Sequence, residues 1–412
     1  MGKKSNNIAY VVWLENVNSV IIRTQVIDLI KKIKVKNNIK YYFIAFQNFR
    51  FLRFYNSEIG EIRNELGKSG IHLITIPCFT FFSRFINWFS AQWFIIPLIF
   101  IFSFPVLLFL VLLKKITILH CRSYPIMIAA VAIKKIQNKI KIIFDPRSPF
   151  PEENATANRW PGESFSYKVW KRLEKIFLKY ADTTITITET YAKHYKKNYP
   201  LLSYKNIPNN VDVEKFKPEG EARNIIRKYL DIKPDTLIFT YEGSLGIHWN
   251  NPNIYAKFVI ELRKLNIDHN FLFLTPNNKI LKDIFDKYGI STNEYYNINL
   301  EYDLVPKYLS VADFGINLME RKDIRLSIKT CEYLSMGLPI ITNKKVLGAK
   351  EIVKKYKVGL VVDNVENIDL KEIEQLNNNR KNISLKCQKL AIEVFSNDTI
   401  SDSYMELYKS LF

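Results

Sequence analysis

Cysteine is scarce in this sequence, and it follows no metal-binding or disulfide pattern. The 412 residues contain four cysteines, and no two of them form a Cys-x-x-Cys pair. This spacing argues against a disulfide framework and against a zinc site. We expect reduced, buried thiols in a cytosolic protein, at Cys78, Cys121, Cys331 and Cys387.

Signals for nucleic-acid binding and for secretion are also lacking. The net charge of +20 is compatible with nucleic acid, anionic lipid or a phosphorylated substrate as a partner. The chain has no arginine-rich stripe, RNP-like aromatic pair or zinc knuckle, so we do not expect nucleic acid. Its first residues, MGKKSNNIAYVVWL, run into a predicted strand without the apolar region of a signal peptide.

The chain contains predicted apolar strands that alternate with predicted helices. Predicted helices, such as 252–266 and 305–312, separate the strands. This alternation predicts an α/β protein with two doubly wound, Rossmann-like domains that face a central cleft, where such sheets bind ligands. The predicted strands lie at 8–14, 41–47, 71–77, 116–122, 141–147 and 183–188 in the first half, and at 237–243, 271–276, 296–301, 314–319, 339–342 and 359–362 in the second.

The domain boundary is expected in the turn-rich stretch 206–218. A chain of this length is too long for one ordinary hydrophobic core, so two domains are the default expectation. We predict an N-terminal domain over 1–205 and a C-terminal domain over 206–390. The remaining residues, 391–412, are predicted to form a helix that packs back on the N-terminal domain.

Charge is absent from one long stretch of the first domain. Residues 85–113 carry none, and Lys114 and Lys115 follow. The stretch is long enough for a transmembrane helix, but a span would place the strands before and after it on opposite sides of a bilayer. We favour a monotopic insertion that enters and leaves one membrane face, with bends at Pro97 and Pro105 and the lysines at anionic headgroups. A buried core helix and a true span are the alternatives.

A lysine and a glutamate stand on one face of a predicted helix in SIKTCEYLSMGLPII, residues 327–341. Ser327 is the predicted N-cap residue, and Gly337 ends the helix. Lys329 in the first turn would add a charge to backbone N–H groups that favour a phosphate. Glu332 could accept two hydrogen bonds from a vicinal diol such as a ribose. A surface ion pair explains the same spacing.

Residues 311–362 resemble the donor-binding region of family 4 glycosyltransferases, which are retaining enzymes with the GT-B fold. Other landmarks agree in order: LEKIFLKYADTTITITE at 173–189, IPNNVDVEKFKP at 207–218, and YEGSLG at 241–246. The resemblance covers nearly the whole chain and is to enzymes of the bacterial cell-surface polysaccharide type. It implies an acceptor-side N-terminal domain, a donor-binding C-terminal domain, and transfer of a sugar from a nucleotide sugar with retained anomeric configuration.

The resemblance also implies how the donor is held, with departures from the family pattern. Glu332 matches the second glutamate of the Glu-x7-Glu motif, which binds the donor ribose. The first glutamate would fall at Ile324, next to Asp323. Lys329 is then the implied diphosphate clamp, and Gly243 keeps a close backbone approach.

Three further positions belong to the implied donor site. The family's Arg and Lys after the first strand of the second domain are replaced by Ser244, His248 and Asn250, of which we assign Ser244 to the donor. The string LGAKEIV resembles a helix start after the sugar-contacting loop. Gly348, with Ala349, would offer backbone N–H groups to phosphate. Glu351 on this helix start is assigned to the donor site; it is otherwise an ordinary solvated residue.

In the first domain, the candidate catalytic residues are His120, Asp145 and Arg147. His120 in HCRSYP is the best match for a family histidine that faces the reacting sugar, although a structural histidine is the simpler interpretation. Asp145 and Arg147 in FDPRSPFPEE could steady a developing phosphate charge or an acceptor hydroxyl. An Asp/Arg turn pair explains them equally well. Glu152 and Glu153 are weaker candidates.

These observations predict a metal-independent retaining glycosyltransferase without a cofactor. No metal-ligand string follows a nucleotide-binding strand. The expected partners are a nucleotide sugar, an anionic membrane surface, and a lipid-linked saccharide or cell-surface polysaccharide acceptor, as in lipopolysaccharide or capsule synthesis. We expect the enzyme at the cytoplasmic face of the cell membrane, peripheral or monotopic. The alternatives are a nucleotide-sugar epimerase of similar build and a non-catalytic membrane-bound scaffold.

Overall fold

The computed structural model describes residues 6–36, 39–78, 92–157, 159–246 and 250–412. The chain divides into two compact units. Unit 1 comprises Met1–Pro208 with Ile400–Phe412, and unit 2 comprises Asn209–Thr399.

The division differs from the prediction at two points. The boundary falls after Pro208 and not after residue 205. The return of the chain to unit 1 begins at Ile400, so residues 391–399 stay with unit 2. The predicted return at 391 was therefore too early. One parallel bridge, between Val211 and Ser396, explains this. The Val211 N–H donates to the Phe395 carbonyl at 2.8 Å, and the Asn397 N–H donates to the Val211 carbonyl at 3.1 Å, which holds that stretch of chain in unit 2.

Unit 1 is built on a parallel sheet of seven described strands. Their order is β3-β2-β1-β4-β5-β6-β7. The strands are β1 (Asn7–Trp13), β2 (Lys40–Asn48), β3 (Ile71–Cys78), β4 (Ile118–Arg122), β5 (Lys141–Asp145), β6 (Thr183–Thr186) and β7 (Tyr204–Asn206). The six predicted strands are confirmed. The edge strand β7 was missed because its three residues, YKN, form no apolar run.

The helices of unit 1 cover both faces of this sheet, as the connections between parallel strands require. A core of buried aliphatic and aromatic side chains packs between the sheet and the helices on one face. The helices are α1 (Val20–Ile22), α2 (Asp28–Val35), α3 (Phe49–Phe54), α4 (Asn56–Lys68), α5 (Ile96–Leu113), α6 (Tyr124–Ile136), α7 (Phe150–Thr156), α8 (Phe165–Tyr180) and α9 (Glu189–Lys196), with a π-helical turn at Arg23–Ile27 and a 3₁₀ turn at Trp93–Ile95.

The apolar stretch 85–113 is helical over its described part. Residues 85–91 lie outside the described residues. Pro97 occupies the first turn of α5, where its missing N–H is tolerated, and the helix continues through Pro105. Helix α5 packs on α6. The strands that flank the stretch, β3 and β4, belong to one sheet, as predicted.

Unit 2 is built on a second parallel sheet, with six described strands in the order β10-β9-β8-β11-β12-β13. The strands are β8 (Leu237–Glu242), β9 (His269–Leu274), β10 (Tyr295–Ile298), β11 (Phe314–Asn317), β12 (Ile340–Asn343) and β13 (Gly359–Val362). The helices are α10 (Gly220–Tyr229), α11 (Pro252–Leu262), α12 (Asn278–Lys287), α13 (Val305–Leu309), α14 (Ile328–Ser335), α15 (Leu347–Tyr356), α16 (Leu370–Asn378) and α17 (Arg380–Leu390), with a 3₁₀ turn at Tyr302–Leu304 and a π-helical turn at Ala391–Phe395. Helix α18 (Asn397–Leu411) begins in unit 2 and ends in unit 1.

Both sheets share a doubly wound order in which the chain runs outward in one direction and then in the other. The order reverses between β1 and β4 in unit 1, and between β8 and β11 in unit 2. Ligands of such sheets bind at the carboxyl ends of the strands, at this switch point. The residues that end these four strands are therefore the first place to look for a site.

Candidate functional site

Helix α14 follows β11 after the loop 318–327, at the switch point of unit 2. Ser327 is its N-cap residue, as predicted, but its hydroxyl does not cap a backbone N–H. The Ser327 hydroxyl instead lies 2.9 Å from Thr330 Oγ1 and accepts a 2.9 Å hydrogen bond from Asn317 Nδ2. Gly337, with φ of +70°, ends the helix. The side chain of Ser327 thus leaves the first-turn N–H groups to other partners.

Lys329 and Glu332 lie on this helix near the end of β8. The Lys329 ammonium sits over the ring of Tyr241, with Nζ 3.9 Å from the ring centroid. A Cβ atom at Gly243, where φ is +113°, would lie 3.2 Å from the same Nζ, so the backbone passes close to the cation. Glu332 is buried and accepts a 2.5 Å hydrogen bond from the Tyr302 hydroxyl.

Glu242 is a third ionisable residue of this cluster, and sequence reasoning missed it. It is the last residue of β8 and is buried, and its N–H donates to the Tyr333 hydroxyl at 2.9 Å. Its carboxyl is within hydrogen-bonding reach of the Glu332 carboxyl, while Oε1 has no hydrogen-bond partner among the described residues. The signal was present in LIFTYEG, where a carboxylate ends an otherwise apolar strand before a glycine.

Burial sets the protonation of this cluster. It raises the pKa of Glu242 well above its usual value, and the neighbouring Glu332 carboxylate raises it further. Burial also raises the pKa of Glu332, although Glu242, Tyr302 and Lys329 oppose the rise. Burial lowers the pKa of Lys329 to about 8 against the pull of both carboxyls. Two facing carboxyls in such surroundings share one proton, so the cluster holds one acid, one carboxylate and one ammonium group.

The loop before α14 determines the surroundings of Asp323 and Gly348, two positions that the sequence analysis singled out. Asp323, next to Ile324, is held by its neighbour Arg325, whose Nε and Nη2 donate to the carboxylate at 2.9 and 2.8 Å. The Asp323 carbonyl accepts from the N–H of Leu347 at 2.7 Å. A Cβ atom at Gly348 would lie 2.2 Å from the carbonyl oxygen of Arg325. Gly348 is therefore required by the approach of this loop, a packing reason that the phosphate interpretation did not include.

The remaining predicted donor residues lie near α14 or at the end of β8. The Ser244 carbonyl accepts from the Tyr241 hydroxyl at 2.9 Å and from Asn250 Nδ2 at 3.1 Å, and its side chain is exposed. These contacts shape the turn that follows Gly243. Glu351 lies half-buried on α15. His248 lies outside the described residues.

His120 is fully buried in unit 1, in the middle of β4 rather than at its end. Its Nδ1 lies 2.8 Å from the Tyr408 hydroxyl, and its Nε2 lies 3.4 Å from Asp145 Oδ2. The rings of Tyr10 and Tyr404 close the other sides. Burial lowers the pKa of His120, so a neutral imidazole donates to Asp145 and accepts from Tyr408. The side chain of His120 is enclosed by these groups, and its contact with a reacting sugar stays a prediction.

Asp145 and Arg147 follow each other at the end of β5. Asp145 Oδ1 lies 3.5 Å from Arg147 Nη1, and Arg147 Nη2 donates to Gln25 Oε1 at 3.2 Å. Burial raises the pKa of Asp145, but Arg147 and His120 outweigh it and hold the pKa at about 2. Asp145 is enclosed like His120, whereas 16% of the Arg147 side chain is exposed. Of the three predicted catalytic residues, Arg147 has the access that a substrate needs.

An ion pair that was not predicted crosses the switch point of unit 1. Arg122, the last residue of β4, donates from Nε to both carboxylate oxygens of Glu15, which follows β1, at 3.1 and 2.9 Å. Arg122 is buried, and its Nη1 has no hydrogen-bond partner among the described residues. The weaker candidates Glu152 and Glu153 lie on α7, paired with Lys171 at 2.9 Å and with the Ser148 hydroxyl.

Within the described ranges, no group of three or more His, Cys, Asp or Glu side chains is arranged to hold a metal ion. Lys329, Gly243 and the first turn of α14 offer positive charge and N–H groups where a diphosphate would be placed. Glu332 and Glu242 offer the acceptors that hydroxyl groups need. The geometry of unit 2 therefore fits a ligand with an anionic part and a polyhydroxyl part.

No match was found among curated proteins. Solved structures match over nearly the whole chain at low identity. A glycosyltransferase from Rickettsia africae is 16% identical with a TM-score of 0.71, covering 99% of this chain and 98% of that one. HepE from Anabaena in complex with UDP is 12% identical with a TM-score of 0.71, covering 98% and 100%. Sucrose-phosphate synthase from Thermosynechococcus elongatus is 11% identical with a TM-score of 0.67, covering 99% of each chain.

Two family models match the sequence itself. Residues 48–215 match Glycosyltransferase Family 4, and residues 289–400 match the Glucosyltransferase 3-like, C-terminal domain. Together these matches span more than half of the chain and include parts of both Rossmann-like sheets. The chain therefore combines a region of the Glycosyltransferase Family 4 with a Glucosyltransferase 3-like C-terminal domain, on two sheets of the GT-B fold.

Proposed function

We propose that this glycosyltransferase moves a sugar from a nucleotide-sugar donor to a membrane-borne acceptor, with retention of the anomeric configuration. The observation that carries the proposal is the placement of Lys329 and Glu332 beside Gly243 at the switch point of unit 2. A surface ion pair would be solvated, whereas Glu332 is buried and Lys329 is partly buried beneath a turn.

The diphosphate and the ribose of a nucleoside diphosphate each have partners in this cluster. The Lys329 ammonium and the first-turn N–H groups of α14 bind the diphosphate, and Gly243 lets the backbone approach it. Glu332, oriented by the Tyr302 hydroxyl, accepts from the ribose hydroxyls. The structure of HepE in complex with UDP, which shares the fold, supports a nucleotide as the ligand.

The proposed reaction relies on electrostatic stabilisation and needs no metal. The positive charge of Lys329 and the N-terminus of α14 stabilise the departing diphosphate, the role that a cation plays in other enzymes. Arg147 is a partly exposed cation just beyond β5, the strand next to the switch point of unit 1, and Asp145 fixes its guanidinium. His120 acts through Asp145 and is a positioning residue. The bond between the anomeric carbon and the diphosphate oxygen breaks, and the acceptor hydroxyl attacks that carbon from the same face. Its proton passes to the departing diphosphate oxygen, and the configuration is retained.

The apolar face of α5 supports a membrane-borne acceptor. In the part of the chain that the structure describes, the segment Trp93–Leu113 is the one helix long and apolar enough to cross a membrane, and most of it is not buried. Side chains such as Ile101 and Phe109 are each 61% exposed. Since β3 and β4 belong to one sheet, a single crossing between them would separate strands of that sheet. A monotopic insertion at the cytoplasmic face agrees with both observations.

A basic stripe on α8 supports an anionic membrane as the partner. Trp93, just before α5, packs edge-on against Phe165 at the start of α8, with ring centroids 5.3 Å apart. The exposed face of α8 then continues with basic residues at helical spacing, which are Lys168, Arg172, Lys175 and Lys179. Anionic headgroups attract such a stripe by about 1 kcal/mol per cation near the surface. The acceptor we propose is a lipid-linked saccharide or a growing cell-surface polysaccharide, of the kind used for lipopolysaccharide or capsule.

Two alternatives make different predictions for one experiment. A nucleotide-sugar epimerase of similar build would convert the donor without acceptor. A non-catalytic scaffold would account for Ile324 in place of a family glutamate and for Asp323 being bound by Arg325. Purified protein is incubated with a panel of nucleotide sugars, with and without lipid extract, and nucleotide release is measured. Acceptor-dependent release is expected; acceptor-independent conversion or no release would overturn the proposal.

Two matched measurements test the finer parts. The anomeric configuration of the product, read by NMR, must equal that of the donor, and an inverted product would refute retention. Serine at Ile101, Phe109 and Leu112 should move the protein from membrane to soluble fractions, because each buried side chain contributes about 1.5–3 kcal/mol to insertion. Serine at Ile225 and Tyr229, which are exposed on α10, is the control. Unchanged partitioning of the first variant would contradict the insertion.

A further inference from the structure

Glu242 has no role in the function proposed so far, although it is the most unusual residue of the donor cluster. The other five residues of β8 are LIFTY, and all are buried. A carboxyl group buried at the end of such a strand is costly unless it has partners. Glu242 also ends the strand at the switch point, directly before Gly243.

The partners of Glu242 do not satisfy it. One oxygen faces the Glu332 carboxyl, and Oε1 is buried without a hydrogen-bond partner among the described residues. The cation of the cluster, Lys329, lies over the ring of Tyr241. The cluster therefore contains more carboxyl groups than cations, and the buried acceptor Glu242 Oε1 has no donor among the described residues.

We propose that Glu242 is a ligand-binding residue, and that Glu242 and Glu332 together bind the vicinal diol of the nucleotide ribose, with one hydroxyl on each carboxyl. This inference rests on the proposed function, since it assigns a second residue to the same ligand. One hydroxyl donates to Glu242 Oε1, and the other donates to the oxygen of Glu332 that Tyr302 leaves open. The proton held between the two carboxyls leaves one negative charge, and this limits repulsion of the nearby diphosphate.

The proposal explains why two carboxyls are kept so close. A single carboxylate can accept both hydroxyls of a diol, but Glu332 already accepts from Tyr302 and meets the Glu242 carboxyl. Its remaining lone pairs are fewer than an isolated carboxylate offers. Glu242 supplies the missing acceptor. Its burial also makes the loss of that contact costly, because no water replaces the ligand hydroxyl in an enclosed position.

The test combines protein variants with ligands that lack one hydroxyl. Isothermal titration measures the affinity of UDP, 2′-deoxy-UDP and 3′-deoxy-UDP for the full-length wild type, Glu242→Ala, Glu242→Gln and Glu332→Ala. Glu242→Ala should weaken UDP binding about tenfold, the effect of one lost hydrogen bond, and should leave the affinity of one of the deoxy ligands nearly unchanged. Glu332→Ala should leave the affinity of the other deoxy ligand nearly unchanged. Glu242→Gln keeps an acceptor oxygen and should bind UDP within about threefold of the wild type.

Each other outcome has a definite meaning. Equal weakening of all three ligands by Glu242→Ala would overturn the inference, because Glu242 would then act on the fold or on the diphosphate. Glu242 variants that bind like the wild type, with Glu332→Ala still impaired, would also overturn it and leave the proposed function standing. A wild type that binds none of UDP, ADP, GDP and CDP would overturn both. Thermal unfolding of Glu242→Gln, expected to match the wild type, separates binding from folding.

Discussion

The two switch points of this glycosyltransferase carry similar residues in opposite arrangements. At the switch point of unit 1 and on the next strand, two arginines meet two carboxylates, and the ion pairs are Arg122 with Glu15 and Arg147 with Asp145. Charge there is balanced within the chain. The tyrosines of α18 then enclose the cluster around His120.

The cluster of unit 2 lacks a hydrogen-bond donor. Glu242 and Glu332 share one proton and face one lysine, and one buried oxygen has no partner among the described residues. Buried charges that are already paired hold neighbouring strands in place, whereas a buried acceptor without a donor remains costly until a ligand supplies one. The comparison predicts that substitutions in unit 1 act mainly on stability, and that substitutions in unit 2 act mainly on ligand affinity.

The largest effect is expected for Asp145→Ala in unit 1. The substitution leaves Arg147 without its buried carboxylate and removes the partner of His120, so the free energy of unfolding should fall by about 3–5 kcal/mol. Denaturant titration of the purified protein measures it. Asp402→Ala, which breaks an exposed pair with Lys36, is the matched control and should cost less than about 1 kcal/mol. Equal effects of the two substitutions would contradict the structural role of the unit 1 cluster.

The enclosure of His120 shows one limit of sequence reasoning. Six of the seven described strands of unit 1 were predictable because each is an apolar run, and the strand that carries His120 is one of them. The surroundings of His120 were not predictable, since Tyr404 and Tyr408 lie 284 and 288 residues further along the chain. Only the path of α18 into unit 1 brings the Tyr404 ring and the Tyr408 hydroxyl to the imidazole.

The second effect is expected for Glu332→Gln in unit 2. The amide keeps the size of the side chain but loses the charge that the ribose hydroxyls contact, so UDP binding should weaken by about 1–3 kcal/mol. The free energy of unfolding should change by less than about 1 kcal/mol, because the substitution also removes a charge from two facing carboxyls. Calorimetric titration and denaturant unfolding measure the two quantities. Glu372→Gln, on the exposed face of α16, is the control. Unchanged affinity for UDP would refute the ribose contact.

The donor cluster was predictable in part for a physical reason. Lys329, Glu332 and Gly337 follow from helix spacing and capping within one short stretch, and the βαβ context places them at a strand end. Glu242 could not be joined to them, because 90 residues separate it from Glu332 and only the pairing of β8 with β11 brings them together. The packing role of Gly348 was missed for the same reason, since it depends on the path of the loop at Arg325.

A third, smaller effect is expected from pH. Burial lowers the pKa of Lys329 to about 8, and the groups that face it are Glu242, Glu332 and the Tyr241 ring. A bound diphosphate favours the ammonium form, so UDP affinity should be flat below pH 8 and fall by up to about 1.4 kcal/mol per pH unit above it. The free energy of unfolding of the ligand-free protein should change with pH in the opposite direction. Between pH 8 and 10.5 the unfolded lysine binds more protons than the folded one, so this group makes the folded state more stable as pH rises.

Lys329→Arg provides the control for this pH dependence. An arginine keeps its charge throughout the range, so the UDP affinity of the variant should not fall between pH 8 and 10. The affinity of the variant at pH 7 is expected to be lower than that of the wild type, because the planar guanidinium does not fit beneath the turn at Gly243 as the ammonium does. A wild-type and a variant profile that fall in parallel would show that a group other than Lys329 titrates.

The smallest effects, for two tyrosine hydroxyls, test the comparison most directly. Tyr302→Phe removes the hydroxyl that donates to Glu332 in unit 2, and Tyr408→Phe removes the hydroxyl beside His120 in unit 1. Each lost hydrogen bond corresponds to about 0.5–1.5 kcal/mol. For Tyr302→Phe the loss should appear in UDP affinity, since the phenol orients the Glu332 carboxylate that binds the ligand. For Tyr408→Phe it should appear in the free energy of unfolding, with UDP affinity unchanged. If both substitutions acted on stability alone, the cluster of unit 2 would be a structural ion cluster like that of unit 1.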